Sequence, residues 1–157
     1  MGFIYFMDDD KKLVEQAKFA LESRSTHNFY EVDISQATKE EYLRSLDLMA
    51  HDLVVLDLKL VGVPSTGLDV LEVLHQEKKK GHLLGLEQVL IATSAKKQVD
   101  PKDVYPAIAF AEGFKVYGME KGVDPTRQVS VIDYVSGLMR IVDRIYAGTE
   151  KPLNQPH

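Results

Sequence analysis

The chain predicts an α/β fold, (βα)5, in which five strand–helix units build one doubly wound parallel sheet. Two observations carry this. Short apolar runs alternate five times with stretches whose apolar residues recur at helical spacing. The strongest runs, Phe3-Ile4-Tyr5-Phe6-Met7 and Leu53-Val54-Val55-Leu56, are continuously apolar rather than alternating, as strands covered on both faces are.

Phe3 to Met7 is the first strand, and Leu13, Val14, Ala17, Ala20 and Leu21 form the stripe of the helix behind it. Asn28 to Val32, with Tyr30 and Val32 alternating against polar neighbours, predicts an edge strand. Thr38 and Glu41 make a capping box for a helix with the stripe Tyr42, Leu43, Leu46 and Met49. The central strand runs from Leu53 to Leu58, and a helix over 67–80 follows it. Its last turn, Lys78-Lys79-Lys80, precedes Gly81, which suits the helix dipole and a left-handed cap. Val89 to Ala92 is the fourth strand and the segment from Phe114 to Met119 the fifth. Asp100-Pro101 and Asp124-Pro125 each read as an N-cap with proline at the first helical position. The final helix carries Ile132, Val135, Leu138, Val142 and Ile145 and stops near Gly148, leaving a loose tail. One domain over residues 1–148 with a tail over 149–157 is expected.

Composition narrows the function. A net charge of −5 and a pI near 5.5 oppose non-specific nucleic-acid binding, which needs a basic face. No apolar stretch approaches a membrane span and no signal pattern opens the chain, so no membrane association is expected. Cysteine is absent, which excludes disulfides and thiolate metal sites and fits a reducing, cytoplasmic setting. The five histidines have no ligand spacing and read as surface residues.

In a doubly wound sheet the ligand crevice lies beyond the carboxyl ends of the strands. The residues predicted there are Asp8, Asp9, Asp57, Thr93, Ser94 and Lys121. Neighbouring carboxylates repel unless a cation lies between them. A hard ion such as Mg2+ takes one or two carboxylates together with phosphate oxygens. Asp9 and Asp57 supply such carboxylates with Asp8 beside them, and an ionised Asp57 can attack an electrophilic phosphorus. The three successive acids also suit a helix N-cap, but that role needs one aspartate and does not account for Asp57.

Four segments in this order and spacing resemble the receiver domain of two-component response regulators. They are Phe6-Met7-Asp8-Asp9-Asp10, Asp52-Leu53-Val54-Val55-Leu56-Asp57, Val89-Leu90-Ile91-Ala92-Thr93-Ser94-Ala95 and Met119-Glu120-Lys121-Gly122-Val123-Asp124, and the resemblance extends from residue 3 to about residue 147. It implies a flavodoxin-like fold with strand order 2-1-3-4-5, of the single-domain, chemotaxis-regulator-like form. It implies Asp57 as phosphoacceptor, Asp8 and Asp9 as the acidic metal pair, and Lys59 as donor of a backbone carbonyl to Mg2+. Thr93 is implied as the switch hydroxyl and Lys121 as the phosphoryl-binding lysine. The phosphodonor would be a sensor histidine kinase or a histidine phosphotransfer protein. A chain of this kind catalyses its own aspartyl phosphorylation and dephosphorylation and is otherwise no conventional enzyme. Its downstream target would bind the face built by the fourth helix, fifth strand and fifth helix, near Lys102, Tyr105, Lys115 and Tyr117.

Several residues depart from that pattern. Gly122 stands where receivers commonly carry proline, so a trans peptide is expected there. The loop over 61–67 is about two residues longer than usual in receivers, a length suited to reshaping the site or docking a partner. The position three before Lys121, where receivers carry an aromatic switch residue, is Gly118, with Tyr117 one earlier. Either the fifth strand carries a bulge or the threonine–aromatic coupling is altered. The Lys59 side chain is expected to shield a phosphoryl group from water. The alternative function is a pseudo-receiver, an interaction module of the same fold that is never phosphorylated. A haloacid-dehalogenase-type hydrolase needs a second aspartate two residues after the nucleophile, where Lys59 stands. A flavin carrier needs a hydroxyl-rich loop after the first strand, where three acids stand.

Overall fold

The computed structural model describes residues 3–36, 39–49, 51–57, 67–82, 85–93, 113–121 and 130–153, with residues 67, 68 and 93 described by their backbone alone. The elements are β1 (Phe3–Met7), α1 (Lys11–Glu22), β2 (Asn28–Glu31), α2 (Glu40–Ser45), β3 (Leu53–Asp57), α3 (Gly67–Lys79), β4 (Gln88–Thr93), β5 (Lys115–Glu120) and the C-terminal helix α4 (Val131–Ala147). The strands form one parallel sheet in the order β2-β1-β3-β4-β5, with β3 at its centre and β2 at an edge. This is the flavodoxin-like order expected. The helix predicted to open at Asp100-Pro101, the loop over 61–66 and Gly122 lie outside the described residues.

Successive side chains along a strand point to opposite faces, so each strand feeds two cores. Val54, Leu56, Val89, Ile91 and Val116 pack with Leu43 of α2 and Val70, Leu71 and Leu74 of α3. On the other face Ile4, Phe6, Leu53, Val55, Leu90 and Tyr117 pack with Leu13, Val14, Ala17 and Leu21 of α1 and with the apolar stripe of α4. All five residues of β3 are buried, which is why its sequence shows no polar alternation.

Caps bound the helices. Asp10 opens α1, its carboxylate accepting from the Leu13 amide at 3.1 Å. Gly81 closes α3 in the left-handed region at φ 85°, as the lysine run followed by glycine predicted. There the amides of Gly81 and His82 donate to the carbonyls of Lys78 and Glu77, satisfying two helix-end acceptors.

Several local expectations are corrected. In β2 the residue facing the core is Phe29, while Tyr30 is exposed and stacks on Tyr5. The N-cap of α2 is Lys39 without a side-chain bond, Thr38 lies outside the described residues, and the helix ends before the exposed Met49. Ser130 caps α4, and Asp124 lies outside the described residues. Ile132 points to solvent, and Tyr134 and Ile141 are buried on the inward face of that helix. The tail is not loose where it is described: Pro152 is buried and the Leu153 amide donates to the Val116 carbonyl at 2.7 Å, beside the edge strand β5. His75 is buried, contrary to the surface reading of the histidines. Among the described residues no helix is long and apolar enough to cross a membrane.

Candidate functional site

Met7 of β1 and Leu56 of β3 are register partners, so Asp8 and Asp57 emerge side by side at the carboxyl ends of adjacent strands. Asp8, Asp9 and Asp57 each turn a carboxylate oxygen to one point, and these oxygens lie within 4.8 Å of one another. The Asp10 amide donates to Asp8 Oδ1 at 2.9 Å and so orients that carboxylate. Its other oxygen, Oδ2, accepts from the ammonium of Lys121 at 2.6 Å. The same Nζ lies 3.5 Å from Asp57 Oδ2. Lys121 immediately follows β5, so residues at the ends of three strands meet at one edge of the sheet.

Asp8, Asp57 and Lys121 are all buried. Ionised groups removed from water persist when oppositely charged neighbours compensate them, and the lysine supplies that compensation here. Three carboxylates against one ammonium still leave a net negative site of oxygen donors. That donor chemistry fits a hard divalent cation, and among the described residues neither thiolate nor imidazole joins the cluster.

The three acids after β1 divide their roles. Asp10 is the helix cap, while Asp8 and Asp9 face the site, so capping and charge convergence are both served without competition. Of the two lysines near β5, Lys121 enters the site and Lys115 is exposed. Thr93 is the last residue of β4, one beyond Ala92, the register partner of Asp57, and its side chain is outside the described residues. Lys59 and Ser94 are outside them entirely.

Strand β5 carries no bulge: Gln88 to Thr93 pair one for one with Lys115 to Glu120. Tyr117 therefore faces α1 and α4, buried in that core, and Gly118 occupies the register position on the opposite face. Burial, with a smaller effect from Glu150, pushes the Tyr117 phenol above its ordinary range. Of the residues expected on a partner face, Lys115 is available, Tyr117 is not, and Lys102 and Tyr105 are outside the described residues.

Sequence reasoning missed Tyr134. It is fully buried in the first turn of α4, and Lys121 Nζ lies 5.7 Å from its ring centroid. Burial, then the charges of Asp8 and Asp57, drive its phenol far above the ordinary value, so it stays neutral. A tyrosine in an amphipathic helix reads as core, and nothing in the sequence links it to Lys121.

A second charged cluster lies at the C-terminal end of α3, the opposite end of the sheet. The fully buried Glu77 pairs with Arg44 Nε at 3.1 Å, with His82 Nδ1, and with Lys80 at 3.7 Å. Burial pushes its carboxyl up, but the His82 hydrogen bond and the charges of Arg44, His82 and Lys80 outweigh it, holding the group below the ordinary carboxylate range. With every partner cationic or a hydrogen-bond donor, this cluster ties α2 to α3.

No protein-family model matches the chain, and no curated protein matches it. Solved structures do. A response regulator receiver domain from Rhodospirillum rubrum is 15% identical, with a TM-score of 0.58 over 98% of this chain and 99% of that one. The response regulator domain of Thermotoga maritima CheB is 14% identical, with a TM-score of 0.59 over 100% of this chain and 98% of that one. A CheY-like receiver domain protein from Methanospirillum hungatei JF-1 is 16% identical, with a TM-score of 0.55 over 94% and 98% of the two chains.

Proposed function

We propose that this chain, which has the fold of response-regulator receiver domains, works as a phosphorylated switch with Asp57 as its phosphoacceptor. The observation that carries the proposal is the convergence of Asp8, Asp9 and Asp57 within 4.8 Å, with the buried Lys121 ammonium on two of them. The donor is a phosphohistidine on a sensor kinase or phosphotransfer protein. An oxygen of ionised Asp57 forms the bond to phosphorus, the phosphorus–nitrogen bond breaks, and the imidazole leaves with the electron pair and takes a proton from water. The product is an acyl phosphate on Asp57. Its carboxylate is charged before the reaction, so no separate base is required.

Phosphoryl transfer depends on holding the equatorial oxygens and neutralising their charge. Lys121 takes one of these oxygens, and the Thr93 hydroxyl is assigned another. Asp8, Asp9 and Asp57, with the Lys59 carbonyl, would hold Mg2+, which supplies charge neutralisation for the remaining oxygen. Lys59, which lies outside the described residues, is assigned the role of shielding the phosphoryl group from water and so slowing hydrolysis. Phosphorylation then biases a two-state surface on the β5 side of the sheet, which a downstream protein reads.

The pseudo-receiver reading draws on one specific observation, the inward placement of Tyr117, which leaves Gly118 on the opposite face of β5 where receivers carry an aromatic switch residue. This affects how the state is transmitted, while the acids and lysine of the phosphoacceptor site remain together. Labelling with acetyl phosphate and Mg2+, or titration with beryllofluoride, separates the two. Acid-labile label is expected on the parent chain and not on Asp57→Asn. Undiminished label on that variant refutes Asp57, and a parent chain indifferent to both reagents refutes phosphorylation.

A further inference from the structure

We propose that Tyr134 is a positioning residue for Lys121, the face of its ring holding the ammonium beside the acidic pocket. The Nζ-to-centroid distance of 5.7 Å is within the range over which the negative face of an aromatic ring attracts a cation. Both side chains are shut away from water, so that attraction is weakly screened.

The surrounding structure fixes the ring. Ser130 caps α4 through the Asp133 amide, and the Tyr134 amide donates to the Ser130 carbonyl at 2.9 Å, so Tyr134 stands in a closed first turn. One turn later is Gly137, where a Cβ would meet Met119 Cε at 3.4 Å. Met119 belongs to β5, the strand that delivers Lys121, so α4 packs against that strand one turn beyond Tyr134.

Lys121 needs such a support because its present partners have a second use. The carboxylates of Asp8 and Asp57 that hold the ammonium also belong to the cluster that fits a divalent cation. A cation held by Asp8 would compete with the lysine for its shortest contact, at 2.6 Å. A neutral π face attracts the ammonium without competing for the metal. The Tyr134 hydroxyl has no hydrogen-bond partner among the described residues. The ring, and not the hydroxyl, is therefore the working part.

The test has two arms on the full chain, because the kinetic one rests on the phosphoacceptor reading above and the spectroscopic one does not. In the first, lysine ε-methylene resonances are recorded with 13C-labelled lysine, and Lys121 is assigned by its loss in Lys121→Arg. Ring-current shielding is expected to move the Lys121 signal upfield in the parent chain and in Tyr134→Phe, and the displacement is expected to vanish in Tyr134→Leu. In the second, phosphorylation by acetyl phosphate with Mg2+ is expected to slow by about tenfold in Tyr134→Leu and to change by less than about twofold in Tyr134→Phe. Tyr134→Met serves in both arms if the leucine variant loses its fold. An unshifted Lys121 signal in the parent chain overturns the proposal, as does a leucine or methionine variant that keeps the parental rate. A phenylalanine variant as slow as the leucine one also overturns it, by assigning the work to the hydroxyl. A parent chain with the shift but no phosphorylation refutes the phosphoacceptor reading and leaves the ring contact established.

Discussion

Replacing Lys121 with methionine, close in length and without charge, should make the protein depend on a divalent cation for its stability. Two unit charges 4.8 Å apart repel by about 3.5 kcal/mol at an effective dielectric constant of about 20. Three carboxylates no further apart than that therefore repel by about 10 kcal/mol or more in all. On the same scale the Lys121 contacts at 2.6 and 3.5 Å attract by about 6 and 5 kcal/mol, so one ammonium nearly cancels the mutual repulsion. Relaxation and water entry reduce what its removal costs to the range for a broken buried pair, about 3–5 kcal/mol. For a chain of 157 residues the melting temperature should fall by about 6–20 °C. Mg2+ should then restore most of the loss, because it no longer competes with an ammonium for Asp8. The assay is thermal unfolding of parent and Lys121→Met with and without saturating Mg2+, with calorimetric titration of each. Mg2+ should bind the variant about tenfold or more tightly than the parent and raise its midpoint further. A Mg2+-induced shift no larger in Lys121→Met than in the parent chain would refute the argument that lysine and metal share these carboxylates.

Two further outcomes separate structural acids from site acids. Asp10→Ala should cost about 1 kcal/mol through loss of the α1 cap while leaving Mg2+ affinity nearly unchanged, because the amide that orients Asp8 belongs to the backbone; denaturant unfolding and calorimetry read the two quantities. Glu77 has a folded-state pKa below its ordinary 4.5, so its stabilisation is complete above that pH and is lost as pH falls through the lower folded value. The stability gap between the parent and Glu77→Gln should accordingly be flat at neutral pH and close in acid, and a gap that widens in acid would reverse the sign of the linkage.

Local patterning was enough for much of the architecture. Continuous apolar runs can be satisfied only by strands covered on both sides, and β3, buried at all five positions, shows why Leu53 to Leu56 carries no polar alternation. Asp8 and Asp57 were legible for a related reason: an acid directly after a buried strand has only the sheet edge to occupy. Where a few tenths of a kcal/mol decide, the sequence misled. A capping box was expected at the start of α2, and Lys39 holds the N-cap position with no side-chain bond; Ile132 fits the helical stripe by period, yet α4 is rotated so that Tyr134 lies inward.

Sequence alone determined the order of strands and helices, the carboxylates at the strand ends and the absence of thiol chemistry, because each depends on residue type and near-neighbour spacing. Only the tertiary structure decided that Tyr117 turns inward without a bulge and that Tyr134 lies beside the Lys121 ammonium. These depend on helix rotation and strand register, which are set by packing summed over the whole molecule. No window of residues contains that sum.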